Sequence, residues 1–392
     1  MINLLRVARK ELLSVLRERR VVFTTLVLPI LLMPVLMYGP LIFFGSVSQK
    51  TADAVQQIGV QNLPEGALSA LRAVKLEPIP ADNPEKAVQD KNLQAAVTYK
   101  DNVFTVFGRL SGGATQSSLV VEKVKTALGA YKERLVAERL KAKGLSTEIL
   151  EPVKIAVQDA SPKQERAAGL FAFLIPYFLV IFILTGGQVV AIDATAGEKE
   201  KGTLEALLAA PVPLAQIVGG KAIATLSVAL VSALAAVTGI LIGSTVVRSF
   251  FTDQLKSQTS SAALGGGLAL EPSGYLAILL TSVLFAAFMV SIQLSLGLYA
   301  RSFKEAQSYM TPLQIVFIVP LLLLQFSDFM ALQSWFYLVP GLNVMLLLDG
   351  LVRGSAVSWQ LAFTWLSTLG YALLALMLAV RSFTREEVVF RN

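Results

Sequence analysis

Between two long uncharged runs, Asp193, Glu198, Lys199, Glu200, Lys201 and Glu205 gather acids and bases into one short stretch, 193–213. The order of residue types there is an alternating-charge run, a glycine at 202 and then a short helix. Thr203 stands where an N-cap would be, Glu205 falls in the first turn, where the helix dipole favours an acid, and Pro211 stops the helix. Leu204, Leu207 and Leu208 share one small apolar face. A helix of this kind suits docking into a groove on a partner. The same residues also suit a solvated turn that only joins two membrane spans, and their types alone leave both readings open. Catalysis has little to work with. The chain has no histidine and no cysteine, which removes Ser-His-Asp triads, thiol nucleophiles, disulfide frameworks and His- or Cys-ligated metal sites. It also has no Gly-x4-Gly-Lys-Ser/Thr run to cradle a phosphate, and Gly219-Gly220-Lys221-Ala222 is not one.

The elements that must position this segment lie in a membrane. Apolar residues make up 54% of the 392, charged residues only 16%, and mean hydropathy is +0.63. A water-soluble domain carries about 25% charge, so a soluble enzyme and a disordered chain are both excluded. Six windows free of Asp, Glu, Lys and Arg are long enough, or nearly so, to cross a bilayer: Val21–Phe44, Ala168–Ile192, Ala222–Val247, Tyr275–Ala300, Tyr309–Ser327 and Trp359–Val380. The fold class expected is an α-helical membrane protein of six transmembrane helices. Phe329–Leu348 is also uncharged, but Pro340-Gly341 breaks it, and it is read as short re-entrant helices between spans five and six. The first run is too long for the core of a signal peptide and is read as a permanent span.

The net charge of +7 (34 minus 27) reports topology rather than nucleic-acid binding. With six spans, fourteen Lys and Arg fall on one face, among them those of residues 1–20, Lys199, Lys201, Lys221, Arg301, Lys304 and those of the tail 381–392. The short loops of the other face hold three: Arg248, Lys256 and Arg353. Positive residues mark the cytoplasmic side, so both termini are expected in the cytoplasm of a multi-pass cell-membrane protein.

The other seventeen basic residues share the block 45–166 with fourteen acids, so that block is a solvated domain, expected outside the cell. Ile58–Val60, Val74–Leu76, Ala95–Tyr99, Val103–Phe107 and Lys154–Val157 read as strands, and Pro64–Ala73 and Pro84–Lys91 as short helices. Leu119–Lys143 reads as a long helix with Val120, Val124, Leu128, Tyr131 and Leu135 on one stripe, stopped by Gly144. Together they make a small α+β domain between spans one and two.

In residues 1–20, Leu5, Ala8, Leu12, Val15 and Leu16 fall on one helical face, while Arg6, Arg9, Lys10, Arg17 and Arg20 surround the rest. This is an interfacial helix with its basic side towards anionic headgroups. It serves either as a topology anchor or as an elbow that bends into the first span. The six windows hold no ionisable group, only amides, hydroxyls and glycines such as Gln188, Gln293 and Gln314. Ion-gradient carriers place charges at that depth, which counts against that class.

The run Gly197-Glu-Lys-Glu-Lys-Gly-Thr-Leu-Glu205, with Pro211-Val-Pro213 and Gly220-Lys221 behind it, resembles the signature of ABC-2 type transporter permeases. Val339-Pro340-Gly341-Leu-Asn343-Val344 resembles the segment between spans five and six in their NatB-like, sodium-efflux branch. Lys199 and Lys201 stand where that family often has arginine. The resemblance implies a coupling helix that touches a separate ABC ATPase, carried here by Glu198, Gly202, Thr203, Leu204, Glu205, Leu207 and Leu208. Pro340, Gly341 and Asn343 would shape the external exit. It also implies a homo- or heterodimer of permease subunits and no cofactor in this chain, ATP and Mg being bound by the partner. Leu110-Ser111-Gly112-Gly113 spells the core of an ABC ATPase signature, but it has no companion nucleotide loop and reads as a strand-to-helix turn. The cargo stays open between sodium and an amphipathic drug, peptide or lipid. A membrane-anchored sensor or scaffold is the rival class, and six spans argue against it.

Overall fold

The computed structural model describes residues 2–110, 116–146, 161–168, 171–209, 211–250, 270–323 and 333–383. The chain divides into two compact units, one within Pro40–Ala160 and one holding Met1–Gly39 and the helices from Ser161 onward. Helix α1 (Ile2–Arg17) stops at Glu18, whose extended backbone breaks it from α2 (Arg19–Val22). A π-helical turn at Phe23–Val27 leads on into α3 (Leu28–Asp53).

In the inserted unit, β1 (Gln56–Gln61), α4 (Glu65–Ala73) and β2 (Leu76–Pro80) form a parallel β-α-β step. Helix α5 (Pro84–Gln89), capped by the Asn83 side chain, leads to β3 (Ala95–Lys100) and β4 (Val103–Gly108). The sheet order is β2-β1-β3-β4, with only the last pair antiparallel. Asp101 and Asn102 both take positive φ, as a two-residue hairpin turn demands. Helix α6 (Gln116–Ala142) buries Val120, Val124 and Leu128 against Ile58, Leu71 and Val97. The first three positions of the expected stripe are thus packed, Tyr131 is partly buried against them, and Leu135 lies in the lining of a cavity instead. Val74 is not in a strand: Lys75 takes φ +60° in the turn after α4, and β2 starts at Leu76. Lys154–Val157 and the Ser111–Gly113 part of the signature lookalike lie outside the described residues.

The second unit is helical. After α7 (Lys163–Ala168), α8 (Phe171–Ile192) does not end in a loop. It passes through a π-helical turn at Asp193–Gly197 into α9 (Glu198–Glu200). The short α10 (Thr203–Leu208) precedes α11 (Leu214–Phe250), α12 (Pro272–Tyr299) and α13 (Phe303–Leu323). A 3-10 turn at Ser334–Leu338, α14 (Leu342–Arg353) and α15 (Ser358–Phe383) complete it. Among the described residues, five helices are long and apolar enough to cross a membrane: Arg19–Gly39, Phe171–Glu200, Leu214–Val247, Pro272–Tyr299 and Ser358–Phe383. Residues 324–327 of the expected fifth window lie outside the described residues. The continuous helix Phe171–Glu200 and α11 extend beyond their uncharged windows, and Glu198 and Lys221 on those extensions are paired with each other rather than left to solvent.

Candidate functional site

The site begins with a close approach of two helices. An added Cβ at Gly220 would stand 2.7 Å from the Val7 side chain and 2.8 Å from the Leu4 carbonyl oxygen. Glycine there lets α1 lie directly on the start of α11. Leu4, Val7, Ala8 and Glu11 are then the inward positions, while Leu5 and Leu16 of the expected apolar stripe are exposed. The packed face of α1 is therefore rotated from the one the leucines suggest.

That rotation places Glu11 over Lys221, which has 0% of its surface exposed. The Lys221 ammonium donates to Glu11 Oε1 at 3.1 Å and to Glu198 Oε2 at 2.6 Å. Lys10 Nζ donates to Glu198 Oε1 at 2.6 Å and to Glu11 Oε1 at 3.0 Å. Two acids and two lysines thus join α1, the end of the α8–α9 helix and α11, and every charge has an opposite neighbour. Lys10 was expected to face headgroups; it faces Glu198 instead. Burial by itself lowers the Lys10 pKa, but hydrogen bonds and charge attraction from Glu198 and Glu11 outweigh this and hold it above the ordinary 10.5. A buried pair of this kind is costly to break: removing one partner leaves the other charge unsatisfied, at about 3–5 kcal/mol.

The rest of the alternating-charge run is equally committed. Lys199 Nζ donates to the Leu298 and Ala300 carbonyls at the end of α12. Glu200 accepts from the Phe303 amide, at 2.9 Å, at the start of α13. A cation on a helix C-terminus and an acid on an N-terminus both suit the helix dipole. Lys201 reaches back to Asp193 at 2.8 Å, a hydrogen bond that raises the lysine pKa. Residues 198–201 therefore fasten one helix end to α1, α11, α12 and α13. The π-helical turn at Asp193–Gly197 sits just before this fastening, a place where such turns recur at functional sites.

Gly202, at φ +69°, then turns the chain into α10. Gly202 is itself the N-cap, so Thr203 is not; the Thr203 hydroxyl donates to the Glu198 carbonyl at 3.2 Å. Leu204 is buried with Val218, Leu298, Ala379 and Phe383. It holds α10 to the helical body, so the apolar face expected for docking is partly spent inside. Leu207 is half-buried, and the Leu208 side chain lies outside the described set. Thr203, Glu205 and Ala206 are the exposed positions of this short helix.

The second predicted group gathers elsewhere in this unit. Gly341 takes φ +83°, and the Phe317 ring occupies the space a side chain would need. Pro340 falls in the turn between the 3-10 segment and α14. Asn343 is fully buried, and its amide nitrogen donates to Ser367 at 3.0 Å and Thr368 at 2.9 Å on α15. Its side-chain oxygen accepts from the Val344 amide. The broken segment is thereby pinned to the last helix. Of the amides expected in the spans, Gln314 donates to Gln188 at 2.5 Å and Gln293 donates to the Leu184 carbonyl at 2.8 Å. Among the described residues no cluster of acids could hold a metal ion.

Sequence reasoning did not single out Glu11, and it did not foresee that Lys10 and Lys221 share ion pairs with it and with Glu198. One signal was present: Glu11 lies between Ala8 and Val15 on the apolar side of α1, where an acid needs a buried partner.

The family model described as an ABC-2 family transporter protein matches residues 5–388. The ABC transporter permease protein NatB of Bacillus subtilis (strain 168) is 26% identical over 358 residues, covering 88% of this chain and 89% of that protein. No solved structure matches. The apolar helices, the fastened charge run and this match over nearly the whole length agree: the chain is a multi-pass membrane protein that belongs to the ABC-2 family of transporter proteins.

Proposed function

We propose that the chain is the permease subunit of an ATP-driven exporter in the cell membrane. It has six spans, both termini are cytoplasmic and 45–166 lies outside. A separate ABC ATPase binds and hydrolyses ATP with Mg and docks at Glu198–Leu208. Two permease subunits form the pathway, and the segment around Pro340, Gly341 and Asn343 shapes its outer end. Sodium is the first cargo to test, because a relative of similar length carries the NatB name. Neutral oxygens of Gln188, Gln293 and Gln314 are the ligands the helices offer in place of carboxylates.

One observation carries the coupling part of this reading. Residues Glu198–Lys201 grip four helices, while Glu205 and Ala206 stay exposed a few residues on. A push on the exposed positions of α10 is delivered straight to the grip. Movement then needs only two packings a few kcal/mol apart, biased by contacts that differ between them.

Co-purification with the ATPase, comparing wild type with Glu205→Arg and Ala206→Glu, tests the docking. Loss of complex in both variants is expected; undiminished complex in both removes the assignment. Uptake into inside-out vesicles, sodium against a hydrophobic dye, then decides the cargo.

A further inference from the structure

The sheet-containing unit carries a cavity of about 490 Å³ between strands β3 and β4 and the C-terminal half of α6. That size falls in the range of small-molecule sites. One wall is aromatic. The Tyr99 and Phe104 ring centroids are 4.6 Å apart, and Phe104 meets the edge of Tyr131 at 6.1 Å. The α6 side is cationic: Lys125, Lys132 and Arg139 line the cavity, and no acid does. Lys125 lies 3.7 Å from Glu122 in a solvent-exposed pair, whereas Lys132 and Arg139 have no ion-pair partner among the described residues. Gly129 lies between Lys125 and Lys132 on α6, and a Cβ there would meet nothing within 4 Å. A glycine inside a helix costs about 1 kcal/mol relative to alanine, and here its bare position is part of the cavity lining.

We propose that this cavity binds a small organic anion bearing an aromatic ring. The ring packs on Phe104 and Tyr131, and the anionic group pairs with Lys132 and Arg139. Aromatic faces alone would take a neutral or cationic ring equally well; two lysines and an arginine without a facing acid select the anion. An arginine also forks onto a carboxylate or sulfonate with two parallel hydrogen bonds, which fixes the ligand's orientation.

The test uses the full chain in zwitterionic lipid nanodiscs, with naphthalene-2-sulfonate as probe and empty nanodiscs as the blank. Equilibrium dialysis should find one saturable site whose affinity falls as salt rises. Gly129→Leu fills the cavity and improves helix propensity, so it keeps the fold while binding drops by roughly tenfold or more. Lys132→Glu with Arg139→Glu should lower affinity by a similar factor, and thermal unfolding of each variant checks that the fold is kept. Three results would each overturn the proposal. They are no saturable binding above the blank, equal binding of the neutral naphthalene-2-methanol, or undiminished binding in a folded Gly129→Leu protein.

Discussion

Lys221 and Glu198 meet at 2.6 Å with the lysine wholly removed from solvent. Glu11 and Lys10 complete the charge balance around them. Replacing Lys221 by methionine keeps much of its volume but leaves Glu11 and Glu198 with only the half-exposed Lys10 to balance them. The expected cost is about 3–5 kcal/mol, seen as a lower unfolding midpoint of the purified protein. Exchanging the pair, Lys221→Glu with Glu198→Lys, should recover part of the loss. A single Lys221→Met variant as stable as wild type would show that the cluster holds nothing together.

Lys10 sits in the same cluster but is 56% exposed along its side chain. Solvent screens it, so Lys10→Gln should cost below about 1 kcal/mol at neutral pH. Its folded pKa is raised, so its contribution is complete below the unfolded value and fades as pH climbs through the folded one. The stability gap between wild type and Lys10→Gln should hold steady up to about pH 10 and close above it. A gap that widens in alkali would have the wrong sign.

Gly220→Val should lift α1 off α11, because the space for a side chain is already taken by Val7 and the Leu4 carbonyl. The natural chain has no cysteine, which makes the movement easy to read. A cysteine placed at buried Ala8 should react slowly with a maleimide in the parent and much faster when Gly220→Val is added. Equal rates would mean that α1 does not need this contact.

Asn343→Leu removes two hydrogen bonds between α14 and α15 and leaves the Thr368 and Ser367 hydroxyls without their donor. A loss of about 1–3 kcal/mol is expected. Asn343→Asp keeps the shape but buries a charge, and should be the worse of the two at neutral pH. Thermal unfolding of both variants against wild type gives the order directly.

Much of the fold was legible in residue type and spacing. Uncharged windows found five long apolar helices among the described residues, because lipid permits no unpaired backbone and a helix pairs its own. The stripe Val120–Val124–Leu128 found the buried face of α6 because helical period and burial coincide there. The short helix after Gly202 was legible too, from the glycine break before it, Glu205 in its first turn and Pro211 behind it, although its use was not.

What the pattern concealed was partnership. Lys221 counts as one more cytoplasmic positive charge until Glu11, 210 positions away, is brought against it. Leu204 looks available for docking until α15 supplies Ala379 and Phe383 to cover it. The rotation of α1 depended on a glycine in another helix, and no local period records that. Alternation of charge at 198–201 was visible, but its meaning lay in four helices that meet only in three dimensions.

The cluster of Lys10, Glu11, Glu198 and Lys221 sums to zero formal charge. Electrical work is net charge times potential, about 2.3 kcal/mol for each unit moved through 100 mV. Carried as a unit through the membrane's field, this joint does no such work. Only a movement that parts Glu198 from Lys221 would carry charge at this joint.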